Sequence, residues 1–239
     1  MKLSSYGKVA LIALALAGAQ SSGAAVLAGF FKFDGDKSIG PPNVPTDYAD
    51  EVTSGFVGWV ESPYQASQGG GGDLDGTYGL SGIPHGLPLT PGWGDGFATI
   101  RTFSSGSSVL KFSLTNNTGF SVQLSDLFFE AVADTGQTGR FVHIDFINAL
   151  GTTPLGMFGA PIVGLAPSAG QNFDDFGASL GNYMMANSET VSFVFTNAPG
   201  SPVGTTIWVD DLAVVPEPSS LMAFGCMLMT GLMFRSRRR

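Results

Sequence analysis

Between residues 26 and 215 the apolar residues recur at every second position in short runs, and no stretch keeps a 3.6-residue period for long. Alternate side chains of a strand point to opposite sides, so a chain patterned this way must bury one face of each run against another sheet. Leu110, Phe112 and Leu114 share one face of such a run while Lys111 and Ser113 share the other. Glu189–Thr196 repeats the pattern with Val191, Phe193 and Phe195. Strands are predicted over residues 26–33, 56–60, 97–103, 108–115, 122–132, 140–149, 189–196 and 205–215. Asn116-Asn117-Thr118-Gly119 and Asn197-Ala198-Pro199-Gly200 are turn signals between neighbours. Residues 61–96 and 151–182 read as long irregular sections rich in Gly and Pro. The span 26–215 is one domain's worth of chain and can bury a sizeable core. The fold reading is all-β, a single antiparallel β-sandwich.

The two ends are patterned differently. Lys2 and Lys8 flank and precede the apolar run Val9–Ala17, and small residues follow it. Residues 1–25 therefore read as a secretory signal peptide, cleaved after Ala24 or Ala25, with Ala19 as another small-residue site. An uncleaved N-terminal anchor is the alternative, and the shortness of the apolar run weighs against it. At the other end Pro216-Glu217-Pro218 stops any regular element, since proline cannot sit inside a helix. An apolar run from Leu221 to Phe234 follows, broken only by Gly225, Thr230 and Gly231, and then Arg235, Arg237, Arg238 and Arg239. A helix over residues 219–234 would be about 24 Å long, against a hydrocarbon core of about 30 Å. The arginines would hold the C-terminus on the cytoplasmic side. An ordinary short single-pass anchor needs no Pro-Glu-Pro at its junction.

Motif, apolar helix and basic end, in that order at the C-terminus, resemble the PEP-CTERM sorting signal of Gram-negative envelope proteins. The resemblance covers residues 216–239. It implies recognition by an exosortase, a membrane transpeptidase-like protease that cuts near Pro216-Glu217-Pro218. It also implies export, a transient inner-membrane anchor through the C-terminal helix, and then residence in the cell envelope, on the outer surface or in the extracellular matrix of a bacterium that makes exopolysaccharide.

Charge narrows the partners of the middle. Between residues 26 and 215 only Lys32, Lys37, Arg101, Lys111 and Arg140 are basic, against all the acids except Glu217, so this span is far more acidic than the whole chain's net −8. Such a surface repels phosphate backbones, which excludes nucleic acid as a partner, and repels anionic polysaccharide unless divalent cations bridge the two. It favours Ca²⁺, which takes carboxylate and carbonyl oxygens. The single cysteine, Cys226, lies in the tail, so the middle has no internal disulfide and no thiolate chemistry.

Candidate site residues follow from spacing. Asp34-Gly35-Asp36-Lys37-Ser38 starts like a calcium loop, but Gly40 and Pro45 stand where an EF-hand pattern breaks down; an acidic turn is the other reading. Gly69–Gly72 is not a phosphate loop, because Asp73 and Asp75 follow it and no Lys-Ser/Thr does. Tyr64, Tyr78 and Trp93 in the 61–96 section are ligand-binding candidates, since pyranose faces stack on loop aromatics; His85 lies there too, and packing onto the sandwich is the alternative. His143 and Asp145 share a strand face and could hold a metal or act as an acid–base pair, but no motif supplies a third partner. Asp210-Asp211 interrupts an apolar strand, so one carboxylate must point inward, at a cost unless it is paired or bound to a metal. The run Trp208-Val209-Asp210-Asp211-Leu212 resembles the last strand of jelly-roll carbohydrate-binding-type β-sandwiches. That resemblance implies a jelly-roll-like fold and a structural Ca²⁺ held by Asp34 or Asp36 with Asp210 or Asp211.

Three functions remain open. The first is a non-catalytic envelope or matrix protein associated with exopolysaccharide or another envelope glycan, with no catalytic motif in the chain. The second is a carbohydrate-binding module with a defined glycan ligand. The third is a glycan-acting hydrolase or lyase using a pair of acids.

Overall fold

The computed structural model describes residues 26–30, 47–48, 51–60, 65–67, 79–81, 97–103, 106–107, 109–134, 140–160, 162–163 and 173–217. The signal-peptide and tail-helix readings, over residues 1–25 and 219–234, lie outside the described residues. Among the described residues no helix is long and apolar enough to cross a membrane.

The strands in chain order are β1 (Ala28–Phe30), β2 (Asp47–Tyr48), β3 (Glu51–Val52), β4 (Phe56–Val60), β5 (Gln65–Ser67), β6 (Phe97–Phe103), β7 (Gly106–Ser107), β8 (Leu110–Asn116), β9 (Val122–Asp134), β10 (Phe141–Asn148), β11 (Gly151–Gly159), β12 (Ile162–Val163), β13 (Asp174–Met185), β14 (Thr190–Asn197) and β15 (Thr206–Pro216). One six-stranded sheet runs β11-β10-β14-β8-β4-β2. In the other sheet β9 and β15 lie side by side. The free edge of β15 carries β6 along Thr206–Val209 and β1 along Leu212–Val214. β13 and, in parallel, β12 pair with β9. Every other described pairing is antiparallel.

Alternation decides which faces meet. Leu110, Phe112, Leu114, Val191, Phe193 and Phe195 are all fully buried. Phe112 and Phe193 sit opposite each other on β8 and β14, with stacked rings 4.8 Å apart. The two sheets meet where Phe129 of β9 packs edge-on against Phe195 at 5.4 Å and Phe30 of β1 lies 5.1 Å from Phe112. Such aromatic pairs add about 0.5–1.5 kcal/mol each beyond the area they bury.

The 151–182 section is not irregular, as the sequence suggested, but holds β11 and most of β13. β11 is an edge strand whose first four residues are all exposed; only Leu155 and Phe158 pack against the core, three residues apart, so its sequence shows no alternation. β13 is interrupted between Ser179 and Tyr183, where Gly181 and Asn182 take φ of 63° and 59°. The interruption shifts the phase of the alternation along the strand. Gly55, at φ 92°, leads into β4; a Cβ there would meet Thr118 Cγ2 at 2.8 Å, so the close approach of this turn to the β8–β9 turn requires glycine.

Candidate functional site

β15 exchanges β6 for β1 as its neighbour at Asp210-Asp211. Its register against β9 shifts there as well: Asp210 faces Glu130, and Ala213 faces Phe128. Three steps on β15 thus answer two on β9, which is a β-bulge. Asp211 adopts φ 45° at the bulge and donates its N–H to Asp210 Oδ1 at 2.9 Å. Strict alternation would have sent one carboxylate inward. The bulge breaks the alternation and buries both, Asp210 at 0% and Asp211 at 3% exposure.

Glu130, 1% exposed, stands directly across from Asp210. Sequence reasoning missed it, because nothing in either strand alone tells which residues lie opposite. Val132 and Trp208, two residues from Glu130 and Asp210 on the same face, pack with Phe173 in a separate apolar cluster beside the acid pair. Like charges directly opposite are unfavourable, and buried carboxylates need partners. Glu130, Asp210 and Asp211 all have bonding or electrostatic partners. Among the described residues no three His, Cys, Asp or Glu side chains gather in a metal-binding group. Asp34 and Asp36 lie outside the described residues, as do Tyr64, Tyr78, Trp93, Pro218, Arg235, Arg237, Arg238 and Arg239.

His143 and Asp145 lie on the solvent face of β10, and His143 Nε2 is 3.2 Å from Asp145 Oδ1. This is the pairing read from the sequence, with no third ligand or acid–base partner gathered around it among the described residues. Exposed Phe141 and Met157 flank the pair at the β10–β11 edge.

Two further polar centres hold the turns at one end of the sandwich. Asn116, fully buried at the end of β8, donates its Nδ2 hydrogens toward the carbonyls of Phe120 at 2.9 Å, Ala186 at 3.1 Å and Met185 at 3.3 Å. Its Oδ1 accepts from Thr118 N at 3.0 Å and from Thr118 Oγ1 at 2.7 Å. The formal glycosylation sequon Asn116-Asn117-Thr118 is therefore committed to the fold. Glu189 accepts from the Tyr183 hydroxyl, from Ala186 N at 2.7 Å and from Ala149 N at 3.3 Å. Burial, followed by the hydrogen bond to Glu189 and its negative charge, pushes the Tyr183 hydroxyl up to about 12. Arg140, 4% exposed just before β10, has Nε, Nη1 and Nη2 all buried without a hydrogen-bond partner among the described residues.

The Pro-Glu-Pro motif begins at the end of the sheet, with Glu217 just past the last strand. Pro216 is the last residue of β15, opposite Leu124, and Glu217 donates its N–H to Gln123 O at 3.0 Å.

No family model and no curated protein matches the chain. Among solved structures, an arabinose-bound MgGH51 α-L-arabinofuranosidase is 9% identical with a TM-score of 0.37, over 82% of this chain and 27% of that one. The K1 cleaved adhesin domain of Lys-gingipain from Porphyromonas gingivalis is 12% identical with a TM-score of 0.32, over 66% of this chain and 96% of that one. The K3 cleaved adhesin domain of the same protein is 12% identical with a TM-score of 0.31, over 64% and 90%. The chain thus spans 27% of the length of the arabinofuranosidase it matches. At these scores the likeness carries no argument about function.

Proposed function

We propose that this chain is an exported, non-catalytic envelope protein whose Pro216–Arg239 tail directs its sorting by an exosortase, and whose jelly-roll-like sandwich associates with exopolysaccharide outside a Gram-negative cell. The observation that carries the reading is the order of the tail: Pro216-Glu217-Pro218, the uncharged run Leu221–Phe234, then Arg235, Arg237, Arg238 and Arg239. The fold is compatible with it, since β15 runs up to the motif and pairs with β1 just after residue 25. The excess of acids between residues 26 and 215 suits a polymer that is neutral, basic or bridged by cations. Calcium requires six to eight oxygen ligands. Asp210, Asp211 and Glu130 offer oxygens of the right kind, but a complete site needs further donors such as Asp34 and Asp36.

The test is Glu217→Ala in the producing bacterium, followed by fractionation and intact mass. The variant is expected to keep its tail and stay in the inner membrane. An unchanged mature mass and location would defeat the sorting reading.

A further inference from the structure

β11 closes one side of the six-stranded sheet, and among the described residues it pairs only with β10. Two hydrogen bonds show which of its backbone groups face outward. Ala198 N donates to Phe141 O at 2.9 Å on the β14 side of β10, and Ala160 N donates to Arg140 O at 3.1 Å on the β11 side. Backbone groups alternate sides along an antiparallel strand, so Phe141, His143 and Asp145 bond toward β14 and the residues between them toward β11. Met157 and Pro154 stand opposite His143 and Asp145. They therefore aim their own backbone away from β10, at the free edge. Such an edge is a template for another strand, and chains blunt it with charge, proline or a bulge. Here the edge is nine residues long and uncharged, and Met157 is 62% exposed on it. No Asp, Glu, Lys, Arg or His stands between Asp145 and Asp174, so charge does not protect it.

Two other features stand where the charge would be. Pro154 has no N–H, and it lies exposed at an outward-facing position where any other residue would offer one. Directly after it the register slips. Asp145 faces Pro154 and Ile144 faces Gly156, so Leu155 is an extra residue and makes a β-bulge. Gly156 holds φ 145° there, a conformation that residues with side chains rarely adopt. A strand laid along β11 would lose a hydrogen bond at Pro154 and fall out of step at Leu155. We propose that the segment Pro154-Leu155-Gly156 guards this edge, and that the partner it turns away is the β11 edge of a second copy of the chain. The guard is a property of the sheet and stands apart from the sorting and glycan readings.

The test compares wild type, Pro154→Val and Pro154→Lys as purified full-length chains in mild detergent. Sedimentation velocity follows association over rising concentration, and amide hydrogen exchange across residues 151–159 locates it. Valine restores the missing donor and favours a strand, so the apparent mass of Pro154→Val should at least double relative to wild type at the highest concentration. Its Met157 and Gly159 amides should gain protection in step. Lysine restores the same donor but sets a charge on the edge, so Pro154→Lys should behave as wild type. Wild-type amides in 151–159 should exchange at a rate that does not depend on concentration. Concentration-dependent protection of this segment in wild type overturns the proposal. So does a Pro154→Val chain that associates no more than wild type, or a Pro154→Lys chain that associates as Pro154→Val does. A Pro154→Val chain that fails to fold overturns it too, because the argument has the proline nitrogen facing solvent and needed by no contact of the fold.

Discussion

Asn116→Ala removes a side chain that joins two turns. The amide reaches the Phe120, Met185 and Ala186 carbonyls, and its oxygen holds both polar groups of Thr118. Truncation leaves Phe120 O still served by Thr118 Oγ1 at 3.0 Å, while Met185 O and Ala186 O lose the Asn116 donor. With about 1 kcal/mol for each net hydrogen bond and about 1–3 kcal/mol for a buried group left unpaired, and with water recovering the outermost groups, the loss comes to about 3 kcal/mol. For a domain of this size about 2–4 °C of Tm accompanies each kcal/mol, so Tm should fall by about 6–12 °C. The assay is thermal unfolding of the purified protein followed by circular dichroism, with Asn116→Asp alongside. Aspartate keeps the acceptor for Thr118 but sets a second oxygen against the Met185 and Ala186 carbonyls, so it should be no more stable than the alanine variant. A shift under about 2 °C for Asn116→Ala, or a wild-type Tm for Asn116→Asp, would refute this account of the turn.

Arg140→Met should leave Tm unchanged or raise it, because a buried guanidinium without a partner costs more than an apolar side chain of similar length; a fall in Tm would contradict the isolation seen among the described residues. Burial, and then the Glu189 hydrogen bond and charge, push the Tyr183 hydroxyl up to about 12, so its contribution is fully present below the ordinary value of 10.0 and is lost as pH rises toward 12. Wild type should therefore lose more stability than Tyr183→Phe over that window in pH-dependent melting, and parallel curves would count against the burial of the hydroxyl beside Glu189.

Where burial falls on one face, the sequence alone was informative. Leu110, Phe112 and Leu114, and Val191, Phe193 and Phe195, all point into the core as their alternation requires. The Asn116–Gly119 turn was readable because Asn and Gly are the residues such a turn needs. β11 was not readable, because its first four residues are exposed and, in an edge strand containing Pro154 and Gly156, only Leu155 and Phe158 pack against the core, out of alternation. The Glu130–Asp210 pair is a property of register between two distant segments, and the burial of both Asp210 and Asp211 depends on a bulge that no one-strand pattern announces. The order of proline, apolar run and arginine in residues 216–239 is a property of the linear chain, and the sorting role proposed for it rests on that order alone.

The association with exopolysaccharide is tested most directly by a binding isotherm of the purified exported form on the producing bacterium's own polymer, once with Ca²⁺ and once with EDTA. The account predicts saturable retention in Ca²⁺, weakened by EDTA if cations bridge the acidic domain to the polymer. No retention in either condition would contradict it.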